Sequence, residues 1–165
     1  MRTDLVRSRR MIRRAVRLAQ RLMPSDGDLD GLLANVSRHR GRPLTLLEGS
    51  MSRSLGRSGL CLITDDADYI LLEPRTSPSR RATIICHEVS HLLLGHEGDS
   101  SSDITTRMAP DLDPSLVARM LARHSYVTLE EEEAEVMATL LVTEHVRRQQ
   151  AARLTSGDFR TERIF

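Results

Sequence analysis

The stretch Thr76–His96, "TSPSRRATIICHEVSHLLLGH", decides how this chain is read. Ser77 is a good helix N-cap, Pro78 suits the first turn, and Gly95 is a natural stop. A helix is therefore expected from Ser77 to near Gly95. Its apolar run begins at Ala82, and into that run are set His87, Glu88 and His91, with His96 just past the glycine. The whole chain has 6 histidines. Burying three of them and an acid unpaired would be costly, so these groups have partners or hold something.

On a helix, His87 and His91 lie one turn apart on the same face, so their imidazoles can converge on one ion. Glu88 lies about 100° around the helix, within reach of a water on that ion. This is the H-E-x-x-H arrangement of zinc hydrolases. Zinc takes histidine nitrogens at about 2.0–2.1 Å and leaves a position for water. The bound water's pKa falls to about 7 in favourable sites, and Glu88 would take its proton during attack. Ligand type favours Zn2+, with manganese as an alternative.

The rest of the chain sets the context. Its 165 residues, 39% hydrophobic and 28% charged, suit a single soluble domain with a real core. Aromatics make up only 2%, so the core must rest on Leu, Ile, Val, Met and Ala. All 24 basic residues are arginine, which fits a GC-rich genome. A net charge of +1 argues against nucleic-acid binding by the chain as a whole. No apolar run approaches the ~18 residues that span a bilayer. The N-terminus is studded with arginine and has no apolar core followed by a cleavage site, so a cytoplasmic protein is expected. Two cysteines, Cys61 and Cys86, make no disulfide framework and read as core.

Leu5, Ile12, Val16, Ala19 and Met23 recur at helical spacing in a basic first helix that Pro24 ends. Residues 1–21 carry eight arginines against Asp4 alone, either a solvated face or a surface for an acidic partner. A second helix is expected over Asp28–Arg38, capped by Asp26 or Asp28, with "HRGRP" as a loop. "LTLLEG" (Leu44–Gly49) reads as a strand. A polar connection, "SMSRSLGRSG", leads to "LCLIT" (Leu60–Thr64) and "DYILLE" (Asp68–Glu73), two strands joined as a hairpin. After the central helix comes a loop, then a short helix from Asp113 to about Arg123. A last long helix is expected from Thr128 to about Leu154. The fold class is α+β: a small three-stranded, mainly antiparallel sheet packed with helices. Residues 1–40 form an N-terminal helical segment, 41–155 the core and 156–165 a flexible tail, within one domain.

A catalytic zinc needs another protein ligand. A metzincin third histidine would fall at position 97, which is Glu97. His96 is one residue out of register and more suited to capping carbonyls or lining the pocket. The last helix opens "LEEEEAEVMATLL". Its face carries Glu131, Glu135, Ala138, Val142 and His145, acids on an otherwise small, apolar face. There Glu131 would bind zinc and Glu135 would hydrogen-bond a ligating histidine. The helix dipole explains Glu130, Glu132 and Glu133. Asp99 or Asp103 in the preceding loop is another source. His145 is too far along the helix for the same ion and reads as a core or surface histidine.

"RATIICHEVSHLLLGH", followed by "EEEAEVMATLL", resembles the ImmA/IrrE family of bacterial metallopeptidases. That family's motifs, H-E-x-x-H-x-x-x-G-H and a downstream E-x-x-A-[N/D/E]-x-x-A, match His87–His96 and Glu131–Ala138. The similarity runs from about Arg42 to Val142 and looks like the actinobacterial branch labelled as a toxin–antitoxin component. It implies a zincin-like active-site helix with a downstream ligand helix, His87, His91 and Glu131 as zinc ligands, and Glu88 as general base. Glu135 stands where relatives often carry Asn or Asp, and Met137 where they often carry Phe. Relatives with established activity cleave a repressor, and members of the family are often encoded beside a helix-turn-helix repressor of the Xre type. Candidate oxyanion donors are Tyr126 and His124, with Arg123 and Tyr126 matching an R-x-x-Y pair in the relatives.

The expected function is a zinc-dependent intracellular metallopeptidase that cuts a regulatory protein such as an Xre-type repressor. The alternative is a zinc-stabilised binding module that regulates by holding its partner. Neither reading requires a membrane or direct nucleic-acid binding.

Overall fold

Ser77 and Gly95 bound the central helix as their residue types require. The Ser77 side chain accepts a hydrogen bond from the Arg80 amide, Pro78 opens the first turn, and Gly95 takes the left-handed conformation at φ 70°. In the computed structural model, residues 2–49, 59–63, 66–96 and 128–156 are described. They form α1 (Arg2–Leu22), α2 (Leu29–Arg40), β1 (Leu44–Glu48), β2 (Gly59–Ile63), β3 (Asp68–Leu72), α3 (Pro78–Leu94) and α4 (Thr128–Thr155). The short helix expected over Asp113–Arg123 and the expected tail beyond 156 lie outside the described residues.

The class is α+β, as expected. Two details differ. The sheet is mixed rather than mainly antiparallel, in the order β1-β3-β2. β2 and β3 form the expected antiparallel pair, with Cys61 opposite Ile70. β1 runs parallel to β3, with Leu46 opposite Ile70. The physical reason lies in β3, whose Asp68, Ile70 and Leu72 are all buried. That strand takes the centre, and the long connection 49–58 lets β1 reach its far edge. The second difference is at α2, which runs on to Arg40 because Gly41, at φ 68°, supplies the left-handed stop. Asp28 is its N-cap, accepting from the Gly31 amide at 2.7 Å.

One apolar cluster draws on every described helix and on the sheet, including Leu22, Val36, Ile70, Ile85, Leu92 and Leu141. α3 sits at its middle, packed against α2, β2, β3 and, most extensively, α4. α1 lies on α4 through Ala15, Ala19, Leu22 and Met23, all buried, whereas Ile12 is 41% exposed. Of the expected stripe, Ala19 and Met23 are buried and Val16 half-buried, while Ile12 is exposed and Ala15 and Leu22 are buried in addition. From α4, Arg148 donates to the Gln20 carbonyl at 2.6 Å and to that of Met23, satisfying the C-terminus of α1. His145 is a core histidine, its Nδ1 donating to the Gly27 carbonyl at 2.6 Å.

A buried ion pair closes the other side. The Asp68 carboxylate is fully buried, with Arg40 Nε at 2.5 Å and Arg42 Nε at 3.3 Å. Arg40 also donates to the Leu92 carbonyl in the last turn of α3. One carboxylate therefore ties the end of α2, the start of β3 and the end of α3. Removing one partner of such a cluster leaves buried charge uncompensated. Asp68→Ala is expected to lower the unfolding free energy by about 3 kcal/mol, read from the urea midpoint.

Candidate metal centre

Helical spacing on α3 and the start of α4 build the site. His87 and His91, one turn apart, present Nε2 atoms 3.1 Å from each other. α4 packs across α3 and brings Glu131 to them. Its Oε2 stands 3.4 Å from His87 Nε2 and 3.8 Å from His91 Nε2. Around one zinc with arms of about 2.0–2.1 Å, tetrahedral ligand atoms lie roughly 3.3 Å apart. The three observed separations bracket that value. Among the described residues these three form a group that could hold a metal ion, one ligand atom from each and all within 4.8 Å.

Burial grades across the site. The His91 side chain is 1% exposed, while His87 and Glu131 are 26% and 33% exposed. One side is therefore sealed in the core and the other opens to solvent, the asymmetry that an open coordination position requires. The imidazoles are fixed from behind. His87 Nδ1 faces Glu135 Oε2 at 3.4 Å, and His91 Nδ1 faces His96 Nδ1 at 3.1 Å. Glu135 reaches in from an exposed position, with its side chain 72% exposed.

Glu88 is only 7% exposed. It lies against β2 at Gly59. A Cβ on Gly59 would stand 3.0 Å from Glu88 Oε1 and 2.2 Å from Ile84 Cγ2. Glycine at the first position of β2 is therefore what allows α3 to lie so close to the strand.

The sequence-predicted set divides cleanly. His87, His91, Glu131 and Glu135 come together, and Glu88 sits beside them on α3. Tyr126, His124, Arg123, Asp99 and Asp103 lie outside the described residues. Two contributions were missed by sequence reasoning. Gly59 sat in what read as a polar linker, although a lone glycine entering a strand is a signal of close backbone approach. Glu133, read as part of a helix-dipole charge run, reaches His96 Nε2 at 3.4 Å. No local signal pairs residues so far apart in the chain.

Cys86, beside His87 in sequence, faces the core as expected. It is fully buried, and burial pushes its thiol up to about 12. It is thus neither a thiolate ligand nor a nucleophile at neutral pH.

The chain matches no protein-family model, and neither a curated protein nor a solved structure is significantly similar to it.

Two outcomes follow from this packing. Gly59→Ala overpacks the α3–β2 contact and is expected to cost about 2 kcal/mol, lowering the thermal midpoint by roughly 4–8 °C. Cys86 should resist iodoacetamide at pH 8 in the native protein and react in urea, as followed by mass spectrometry; its thiol stays protonated until the pH nears about 12.

Proposed function

We propose that the chain is a zinc-dependent peptidase of the ImmA/IrrE type that cuts a regulatory protein in the cytoplasm. The observation that carries this is the convergence of His87 Nε2, His91 Nε2 and Glu131 Oε2, with Glu88 next to His87 on the same helix. Two imidazoles and one carboxylate, open on one side, are the donor set of catalytic zinc sites. A purely structural zinc site has no need of an acid at position 88.

When bound, the cation supplies Lewis acidity toward water and the scissile carbonyl. The residues of the chain do the rest. The Glu88 carboxylate accepts the proton of the attacking water and delivers it to the departing amine nitrogen. That side chain lies close against Gly59, where β2 begins. Glu135 orients His87 through Nδ1. Tyr126 and His124 remain the proposed donors to the developing oxyanion.

The sheet order supports a peptide substrate. β3 is central, and among the described residues β2 pairs only with β3. An extended substrate segment would add alongside β2, the strand that starts beside Glu88, by main-chain hydrogen bonds. Among the described residues no helix is long and apolar enough to cross a membrane. A helix-turn-helix repressor of the Xre type is the proposed substrate, on the strength of the motif resemblance.

The test uses the full-length protein and its Glu88→Gln variant, expressed with and without stress. New protein N-termini are compared across the proteome, and zinc is measured in both. Wild type and variant should each carry zinc, and cleavage should fall about 10²–10⁴-fold in the variant. Glu131→Ala should lose zinc by more than the ~10–100-fold expected for an outer partner. Zinc in the wild type without any Glu88-dependent cut would favour the binding-module reading instead.

A further inference from the structure

His96 is a buried polar residue, in contact with the candidate metal centre, that the proposed chemistry does not use. It follows Gly95, where the chain reverses in the left-handed conformation at φ 70°. The reversal turns the His96 amide back to the His91 carbonyl, at 3.1 Å, and closes the helix. Any residue could supply that amide. The ring has a separate occupation. It is 6% exposed and lies edge-on to His91, with centroids 5.2 Å apart. Its Nδ1 is 3.1 Å from His91 Nδ1, and its Nε2 is 3.4 Å from Glu133 Oε2.

These contacts have a direction. A carboxylate only accepts, so His96 Nε2 carries the hydrogen toward Glu133. The Nδ1 of neutral His96 is then an acceptor, and His91 Nδ1 must donate to it. That leaves the lone pair of neutral His91 on Nε2, facing His87 and Glu131. Glu135 does the same for His87 from its own Nδ1. Three acceptor atoms then face one point, an arrangement that a cation satisfies. His96 cannot itself join them in this arrangement, because it touches the opposite nitrogen of the His91 ring.

We infer that His96 is a positioning residue of the metal centre: with Glu133 it sets the tautomer and ring orientation in which His91 offers Nε2 to a divalent cation. This rests on the reading that His87, His91 and Glu131 bind metal. It gives the H-x-x-x-G-H segment a purpose beyond ending a helix. The glycine makes the reversal, and the histidine uses it to reach the far side of the ligand one turn back.

The experiment measures zinc affinity of the full chain by competition with a chromophoric chelator, and the visible spectrum after loading with cobalt. His96→Ala is expected to weaken zinc by about 10–100-fold and alter the cobalt bands. In His96→Asn the amide oxygen can take the acceptor place of Nδ1, so most of the affinity should return. Glu133→Ala should weaken zinc by roughly tenfold. The neighbouring exposed Glu132→Ala should change nothing. Circular dichroism of each metal-free variant reports folding. Folded His96→Ala with affinity within about twofold of wild type would overturn the inference. If that variant does not fold, unchanged affinity in folded Glu133→Ala overturns it. A wild type that binds no zinc sinks the underlying metal reading instead, a result distinct from either.

Discussion

The packing of α3 on α4 is the constraint on which the rest depends. Two histidines on one helix offer two ligand atoms, and a useful metal site needs another donor from elsewhere. Glu131 supplies it only if the two helices cross close together near the start of α4. Ala134 and Ala138, both buried, and Met137 and Leu141 beside them form the contact face. Small side chains at such a contact let helix axes approach toward the short end of the usual ~8–10 Å spacing. The apolar seam and the polar site are successive turns of one interface. Burial of the seam sets the distance that the ligand geometry requires.

The other elements hold α3 in place for that crossing. Asp68 and Arg40 tie its C-terminal turn to the sheet and to α2. Gly59 admits its middle to within contact of β2. Arg148 and His145 anchor α4 to the end of α1 and the turn after it. Each is a polar or steric fixture at the edge of a core with very few aromatics. Leu, Ile, Val and Ala fill space but have little directional preference. Hydrogen-bonded anchors restrict how such surfaces can slide past one another.

In the proposed function, these fixtures become a means of preorganisation. His91 is sealed and backed by His96, whereas His87 is half-open and backed by exposed Glu135. The buried side of the centre is the rigid one. A ligand set with one firm and one accessible histidine suits a cation that must hold its place while exchanging one position.

Much of the centre is legible in the residues because it is local. Helical periodicity puts His87 and His91 on one face, and Ser77, Pro78 and Gly95 bound that helix through backbone chemistry within a few residues. The acidic opening of α4, with its repeat at Glu131 and Glu135, carries a ligand face for the same reason. The tertiary structure alone decided the rest. β3 took the centre of the sheet with Asp68, Ile70 and Leu72 all buried, an outcome of packing among three strands that none reveals separately. Gly59 became necessary because Ile84 and Glu88, far along the chain on α3, pack against it. Glu133 left the solvated charge run to meet His96 because α3 and α4 cross, and a crossing is set by packing energy summed over the whole core rather than by any spacing along the chain.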